Sequence, residues 1–298
     1  MLLLLASALA TQLTYDHAPC PVGEDDHARV YSKLAANQIG GWDSDLARYS
    51  SEGQWREYAI ATCRDSLFSV YSGDMGMILD ADDKRAIEKR LKQLRRGVDV
   101  DTLEVWDRYL LAVEVYRLLG RDALFLAQIY LEASWTARDR VVGVYAGLEG
   151  PTDARDILDA GALELDKVLD DHTRKIVLHN MARVAHRGGW PKERDAHLTA
   201  FEAVGDLDED EARVLKEFHW IVDEVEPRLQ DLALTELGAY LETAPEGHER
   251  VRATYLMADL LRRRGRLEEA RRGFLLVAEN PEAPAEYKDL ATWLGDNG

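Results

Sequence analysis

The feature that most constrains the fold of this chain lies near its C-terminus, where two apolar stripes flank Gly265 between residues 251 and 284. Apolar residues three or four positions apart lie on one face of a helix, so each stripe predicts an amphipathic helix. Alanines on the facing sides let the helices approach closely, and a proline ends the second helix. The positions that define this hairpin are Tyr255, Ala258, Leu261, Gly265, Ala270, Phe274 and Pro281.

This hairpin carries the spacing of a tetratricopeptide repeat: a glycine, an alanine five residues later, an aromatic residue four further on and a proline near the end. Weaker hairpins are predicted to turn at Gly120 and at Gly189, and the three turns are about two lengths of a ~34-residue repeat apart. A single repeat cannot bury its apolar face, so a stack of helices is expected from residue 81 to residue 298, including a helix over 211–225.

Residues 11–80 have a different pattern, with short runs of alternating polar and apolar residues between glycine and serine pairs. This alternation predicts small strands. Both cysteines of the chain lie here. The run from Cys20 to Gly23 has the form of a C-P-x-C zinc knuckle that ends in glycine, and the run from Cys63 to Ser66 has the form of a C-x-x-C that ends in serine. The predicted fold class is mainly α, with a tetratricopeptide-like hairpin stack preceded by a small β-rich head.

With these two half-knuckles the chain resembles the bacterial domain of unknown function 2225, in which an N-terminal zinc ribbon leads into tetratricopeptide-like helices. The resemblance covers roughly the first half of the chain. It is carried by Cys20 and Pro21, residues 45–49, the segment ending at Cys63, residues 68–74 and residues 109–135. The family pattern implies zinc, but structural zinc takes four ligands and only two thiols remain, so the head is a degenerate zinc ribbon.

In a zinc ribbon the leading cysteines of the two knuckles converge on one metal, so the resemblance implies that Cys20 and Cys63 lie near bonding reach. A disulfide between them is the interpretation we adopt, and it would close a loop of about 43 residues. Such a loop closure stabilises by about 4 kcal/mol on the chain-entropy estimate. Two free buried thiols are one alternative, and a zinc site completed by His17 and His27 is the other.

The first ten residues, MLLLLASALA, form a short apolar core followed by a small-x-small motif that ends at Ala10. This pattern predicts a signal peptide over residues 1–10 and export, to the periplasm. No Lys or Arg precedes the apolar run, so the alternative is an apolar element of a cytoplasmic protein. No later stretch reaches the about 20 apolar residues of a membrane-spanning helix. A disulfide would agree with export, because disulfides persist in oxidising compartments.

The charge of the chain argues against nucleic acid as a partner. Its 55 acidic and 37 basic side chains give a formal net charge of -18, whereas nucleic-acid binding needs a concentrated basic patch. The basic run 262–266 is followed by Glu268 and Glu269, and such mixed runs are typical of a solvated helix face. Asp43 and Asp45, beside Gly40 and Gly41, suggest either a calcium loop or a turn capped by aspartate.

No enzyme motif is present: the chain lacks H-E-x-x-H, G-x-S-x-G, a phosphate-binding loop and a dinucleotide-binding glycine triplet. His179, His186 and His197 could meet across a hairpin as metal ligands or a base, and packing histidines are the alternative. We expect a non-enzymatic scaffold of the bacterial cell envelope or periplasm, without a cofactor, that binds a protein or peptide through the repeat groove. A metal- or redox-responsive protein acting through Cys20 and Cys63 is the alternative. The oligomeric state is not predicted.

Overall fold

The computed structural model describes residues 12–297 apart from residues 24, 36–38, 52, 97, 99 and 146. The predicted signal peptide, residues 1–10, lies outside these described residues. Strands come first and helices follow from residue 81, so the prediction of a mainly helical chain with a small β-rich head is confirmed. The strands are β1 Gln12–Pro19, β2 His27–Ala35, β3 Ile60–Thr62 and β4 Ser69–Tyr71.

The helices are short to medium in length, and two of them run on without a break. They are α1 Ala81–Leu94, α2 Val105–Leu118, α3 Ala123–Asp139, α4 Asp153–Leu165, α5 Asp171–Gly188, α6 Pro191–Glu202, α7 Glu209–His219, α8 Glu226–Thr243, α9 His248–Arg263, α10 Leu267–Glu279 and α11 Ala285–Asn297. A π-helical turn, Trp220–Val225, joins α7 to α8. The helix predicted over 211–225 therefore continues far beyond Val225.

The π-helical turn has a local cause in the sequence. Pro227 lies in the first turn of α8. A proline inside a helix cannot donate its backbone hydrogen bond, and its ring crowds the carbonyl four residues earlier. The wider π-helical turn just before Pro227 accommodates that ring, so the helix passes the proline without ending.

The strands form two separate antiparallel pairs. In the first pair Leu13 of β1 lies opposite Lys33 of β2, and in the second Ile60 of β3 lies opposite Tyr71 of β4. Successive side chains of a strand point to opposite faces. The second pair is largely buried, whereas much of the first is exposed to solvent.

The described residues form two compact units. The first comprises those within Met1–Gln38, Ser50–Ala137 and Leu229–Glu236, and the second comprises those within Ile39–Tyr49, Arg138–Arg228 and Leu237–Gly298. Residue 80 marks the change from strands to helices, but α1 and α2 belong to the same unit as the strands. The short segment Ile39–Tyr49, here called the inserted loop, belongs to the unit of the later helices.

Aromatic residues hold the first unit together. The Tyr116 ring of α2 lies 4.9 Å from the Phe125 ring of α3, across a turn in which Gly120 has a φ of +72°. This left-handed conformation favours glycine. The backbone N–H of Tyr71 in β4 donates to the Tyr116 hydroxyl at 3.0 Å, and the Tyr109 hydroxyl donates to the Arg56 carbonyl at 2.6 Å. The helical hairpin predicted at Gly120 is therefore present and packs on the strands.

The second unit contains the other two predicted hairpins. α5 and α6 are joined at Gly189, and α9 and α10 at Gly265, and both glycines are left-handed. Glycine at this position satisfies the last carbonyls of the preceding helix. The stripe residues of the C-terminal hairpin are buried, and α10 ends two residues before Pro281. They are Tyr255, Ala258, Leu261, Ala270 and Phe274.

The closest approach of α9 and α10 occurs at a residue that the sequence pattern did not single out. A β-carbon added at Gly273 would lie 2.7 Å from the β-carbon of Ala258. Such a distance is well inside van der Waals contact, and the alanine methyl cannot rotate away. The tight packing of this hairpin therefore depends on Gly273 as much as on the alanines.

Gly273→Ala should lower the free energy of unfolding by about 1–3 kcal/mol, because the new methyl group overpacks the contact with Ala258. Gly238→Ala is the matched control, since Gly238 is also helical and its β-carbon would meet nothing within 4 Å. That variant should be neutral or gain about 0.5–1 kcal/mol from helix propensity. Chemical denaturation of both variants measures the difference, and equal stabilities would contradict the packing argument.

Candidate functional site

The two cysteines are joined in the structure. Cys20 follows β1 and Cys63 follows β3, 43 residues later, and a disulfide connects them with 6.2 Å between their Cα atoms. The expected pairing is therefore confirmed, and the described residues include no free cysteine. The bond closes a loop that on chain entropy is worth about 4 kcal/mol. It ties the end of one strand pair to the other within the first unit.

Asp26 links the two cysteine-bearing turns. Its carboxylate accepts the backbone N–H groups of Asp65 at 3.2 Å and of Ser66 at 2.8 Å, in the turn after Cys63. Its carbonyl accepts the backbone N–H of Cys20 at 2.9 Å. Asp26 is only 4% exposed. A buried carboxylate thus supplies the acceptor that organises this turn.

The four positions of the predicted knuckles do converge. A β-carbon at Gly23 would lie 3.5 Å from the β-carbon of Ser66 and 3.2 Å from that of Asp26. However, Gly23 has no donor atom, Ser66 has no sulfur, and the remaining sulfurs are bonded to each other. A four-thiolate zinc site therefore does not fit this chain.

His17 and His27 lie on the exposed hairpin of β1 and β2, outside the cysteine turns. Among the described residues, one group of potential metal ligands has its donor atoms within 4.8 Å of one another, and it consists of Cys20, Asp26 and Cys63. The ligand that the sequence analysis overlooked is thus Asp26. Asp25 and Asp26 are adjacent in the sequence, and only the fold shows that Asp26 is the buried one.

The second unit contains a buried cluster of charged groups that the sequence analysis missed altogether. Four carboxylates and four guanidinium groups are each less than 9% exposed, so their formal charges cancel. We call this set the ion cluster. Its members are Asp43, Asp45, Glu226, Asp259, Arg138, Arg187, Arg262 and Arg263.

Arg138, at the end of α3, lies at the centre of the ion cluster and is fully buried. Its guanidinium Nη1 donates to Asp43 Oδ2 at 2.9 Å and its Nη2 donates to Asp45 Oδ2 at 2.5 Å. Nε and Nη2 both donate to Glu226 Oε1, at 2.9 and 2.6 Å. With a further bond to Asp45 Oδ1, all five N–H donors of this arginine are used.

Arg187 of α5 binds the inserted loop from another side. Its Nε donates to Asp43 Oδ1 at 2.8 Å and its Nη2 donates to the Gly40 carbonyl at 3.2 Å. The guanidinium lies 3.8 Å from the centre of the Tyr49 ring, a cation–π contact. The Tyr49 hydroxyl donates to Asp43 Oδ2 at 2.8 Å. Asp43 is therefore held by two arginines and a tyrosine.

Helix α9 holds the middle of the inserted loop through the side that carries Tyr255. The Tyr255 hydroxyl donates to the Ser44 carbonyl at 2.7 Å. Ser44 Oγ donates to Asp259 Oδ2 at 3.0 Å and accepts from Arg262 Nη2 at 2.9 Å and Arg263 Nη2 at 3.0 Å. This side of the signature hairpin is thus covered by the chain itself.

The run 262–266 was predicted to be a solvated face, and for its first two residues that prediction is wrong. Arg262 is 1% and Arg263 is 8% exposed, because Asp259 lies one helical turn earlier and bonds both. The sequence did contain a signal for this burial. Arg262 and Arg263 follow Asp259 by three and four residues, the spacing at which side chains on a helix meet. Nothing in the sequence showed that Ser44 would complete the contact.

The double glycine explains how the inserted loop enters the helices. A β-carbon at Gly41, whose φ is +72°, would lie 2.0 Å from the Leu148 carbonyl oxygen, and one at Gly40 would lie 2.6 Å from the Tyr49 β-carbon. The calcium hypothesis for Asp43 and Asp45 is contradicted, since arginines occupy their oxygens. The alternative, an aspartate-capped turn, is present: Asp45 Oδ1 accepts the Ala47 N–H at 3.3 Å.

The electrostatic balance of the ion cluster keeps its carboxylates ionised. Burial alone would raise the pKa of Asp45, but Arg138 and Arg263 hold it well below its ordinary value. Burial likewise opposes ionisation of Glu226, yet Arg138 and His186 lower its pKa to about 2. Nearby opposite charges and hydrogen bonds to the ionised form together outweigh the effect of burial. The cluster is therefore ionic at neutral pH.

Two of the three histidines of the predicted trio, His179 and His186, pack against aromatic rings. His186 Nε2 lies 2.7 Å from Glu226 Oε2, and burial lowers the pKa of this histidine. The His179 ring contacts the rings of Phe201 and Phe218, and burial together with Arg183 lowers its pKa to about 4. Burial also lowers the pKa of His197. None of the three belongs to the ligand group found among the described residues.

Comparison of the chain with family models, with curated proteins and with solved structures gives no match. In the part of the chain that the structure describes, every helix is too short or too polar to cross a bilayer. Because no matching protein assigns a role to the cysteine turns or to the ion cluster, their roles are inferred from their own chemistry.

Arg138→Met should lower the free energy of unfolding by about 3–5 kcal/mol, because it leaves three buried carboxylates without their shared counter-charge. Arg213→Met is the control, since Arg213 pairs with Asp210 on the surface with side chains 70% and 84% exposed. That change should cost less than about 0.5 kcal/mol. Urea denaturation measures both, and a small effect of Arg138→Met would show that the ion cluster does not stabilise the fold.

Acid should destabilise the protein in two stages. Unfolded His179 takes up a proton near its ordinary pKa of 6.5, whereas the folded side chain resists protonation to about pH 4. The free energy of unfolding should therefore fall as the pH decreases from about 6.5 to 4. Glu226, with an ordinary pKa of 4.5 and a folded value of about 2, extends the loss below pH 4.5.

The variant His179→Leu should flatten the upper stage, and the exposed His172 of the same helix provides the control substitution. Denaturation curves collected between pH 4 and 7 give the slope for each protein. An unchanged slope in His179→Leu would mean that another group causes the upper stage.

Proposed function

We propose that this protein is a non-enzymatic interaction module of the bacterial cell envelope that binds a protein or peptide partner through its helical second unit. One observation carries the proposal: three leucines of α10 face solvent while the opposite side of the helix is buried. Leu267, Leu275 and Leu276 are 42%, 54% and 65% exposed. Clustered apolar side chains at a surface mark sites of protein contact.

The partner surface is the outer side of α10, here called the leucine face and defined by the adjacent Leu275 and Leu276. The repeat groove proposed from the sequence would include the Tyr255 side of α9, which the inserted loop covers. Leu267, at the start of α10, borders a separate cavity of about 100 Å³ together with Phe274 and Leu294. An apolar side chain of a partner would fit there as an anchor.

Charge around the leucine face favours a partner that carries side chains of both signs. Arg271 and Arg272 precede the leucine face along α10, and both are exposed. Glu268 and Glu269 lie in the first turn of the same helix. Complementary charge around an apolar contact gives specificity and speeds association.

Two further features support the proposal. The hairpin of α9 and α10 has the residue pattern of a tetratricopeptide repeat, and such repeats stack to present binding surfaces. The disulfide between Cys20 and Cys63 supports export, because cytosolic thiols are kept reduced. We likewise propose, from the resemblance of the cysteine turns, that the chain is related to the zinc-ribbon family named above.

The test compares two double variants in the tagged full-length protein, Leu275→Glu with Leu276→Glu, and Leu163→Glu with Leu169→Glu. Leu163 and Leu169 are 65% and 98% exposed in the same unit, so the control adds equal charge at leucines that are at least as exposed. Proteins captured from the native cells are compared by mass spectrometry, and each partner is then purified and titrated calorimetrically. We expect binding to weaken about tenfold or more in the first variant only.

Recovery and affinity that are equal in both variants would refute the leucine face as the binding surface. Equal loss in both variants would also refute it, since the effect would then come from added charge alone. Circular dichroism of both proteins establishes that the helices are intact before the comparison is made.

A further inference from the structure

The cysteine turns of the first unit bring three metal-binding atoms together. The sulfurs of Cys20 and Cys63 and a carboxylate oxygen of Asp26 lie within 4.8 Å of one another. Thiolate and carboxylate ligands bind Zn²⁺ at about 2.0–2.3 Å, so atoms this close can share one ion after small side-chain movements. The 6.2 Å between the cysteine Cα atoms requires little change of the backbone.

Asp26 is a buried carboxylate whose hydrogen-bond donors are backbone N–H groups. It is 4% exposed, and none of the Lys, Arg or His side chains in the described part of the chain forms an ion pair with it. Buried charges in proteins are normally paired or bound to metal. The donors that Asp26 does have are backbone N–H groups, which orient a metal ligand without competing for the ion.

Asp26 borders a cavity of about 390 Å³. A zinc ion with three protein ligands keeps a fourth position for water or another group. The cavity is a path by which an ion can reach Asp26. Its lining includes the acidic Asp65 and Glu88 as well as the basic Lys92 and Arg95.

We propose that the head is a redox-gated zinc site with Cys20, Cys63 and Asp26 as its ligands. The oxidised protein, with its disulfide, has no thiolate to offer and does not bind the ion. A dithiol reductant transfers two electrons and two protons to the disulfide, giving two thiols and leaving the reductant as a disulfide. Zn²⁺ then binds both sulfurs as thiolates together with the Asp26 carboxylate, and the two thiol protons pass to solvent.

The choice of zinc follows from the ligands. Thiolates are soft ligands that select zinc over magnesium or calcium, and a single carboxylate with two thiolates is too few oxygens for either hard cation. Because zinc does not change oxidation state, the change between the non-binding and the binding form depends only on whether the two sulfurs are a disulfide or thiols. This site goes beyond the proposed partner binding of the helical unit and does not depend on it.

The experiment uses the full-length chain in oxidised form and after anaerobic reduction, with thiols counted in both. Co²⁺ serves as the spectroscopic probe, because sulfur-to-cobalt charge transfer reports thiolate ligation, and Zn²⁺ affinity is measured by competition with a chelator. We expect one Zn²⁺ per chain in the reduced protein and none in the oxidised protein. Asp26→Asn should weaken Zn²⁺ binding about tenfold or more while leaving both thiols titratable.

Two further variants make the result specific. Asp65→Asn is the matched control, because Asp65 lines the same cavity but its side chain is 74% exposed, and it should bind Zn²⁺ as the unaltered chain does. Ser66→Cys places a third sulfur beside the site and should tighten binding about tenfold. This gain cannot result from unfolding, so it keeps the test informative if Asp26→Asn loses structure on reduction.

A reduced chain with two titratable thiols that shows neither charge transfer nor retained Zn²⁺ would overturn the proposal. Equal affinities of Asp26→Asn and Asp65→Asn would overturn the assignment of Asp26 as a ligand. Zinc bound equally by the oxidised protein would overturn the redox gate.

Discussion

Arg138 is a full positive charge removed from water, and the arrangement of the second unit follows from the need to compensate it. Its five N–H donors all meet carboxylate oxygens, from Asp43 and Asp45 in the inserted loop and from Glu226 at the start of α8. Desolvating such a group is expensive unless every donor has a charged partner. Three segments that are distant in the sequence, the inserted loop, the end of α3 and the start of α8, are therefore held at one point.

The same requirement explains why a short loop from the N-terminal part of the chain belongs to the later helices. The inserted loop supplies two of the four carboxylates of the ion cluster, and Ser44 joins it to α9. The double glycine lets its backbone approach Leu148 closely enough for these contacts to form. A consequence for function is that the side of α9 expected to receive a partner is already filled, which directs the search for a binding surface to α10.

The head is also organised around a buried carboxylate, but its partners are backbone N–H groups and not arginines. The head is held by a covalent bond between its two cysteines and by one buried carboxylate that accepts the amides of the turn after Cys63. In both units a buried aspartate organises a turn: Asp43 with arginines as partners, and Asp26 with backbone groups alone. The difference in partners is why Asp26 remains able to take a cation and Asp43 does not.

Local patterns in the sequence determined the elements of this protein. The spacing around Tyr255 and Phe274, the glycines at the hairpin turns and the change of period near residue 81 depend on interactions between near neighbours, and the structure contains each of them. The pairing of Cys20 with Cys63 could also be inferred, since two positions of a known knuckle pattern remained. The tertiary structure alone decided which charges are buried. Arg138 looks like any surface arginine in the sequence, because its carboxylate partners lie 88 to 95 residues away, and long-range pairing of charges leaves no periodic trace in a single chain. Arg262 has Asp259 in its own helix, but the serine that completes its contacts lies 218 residues away.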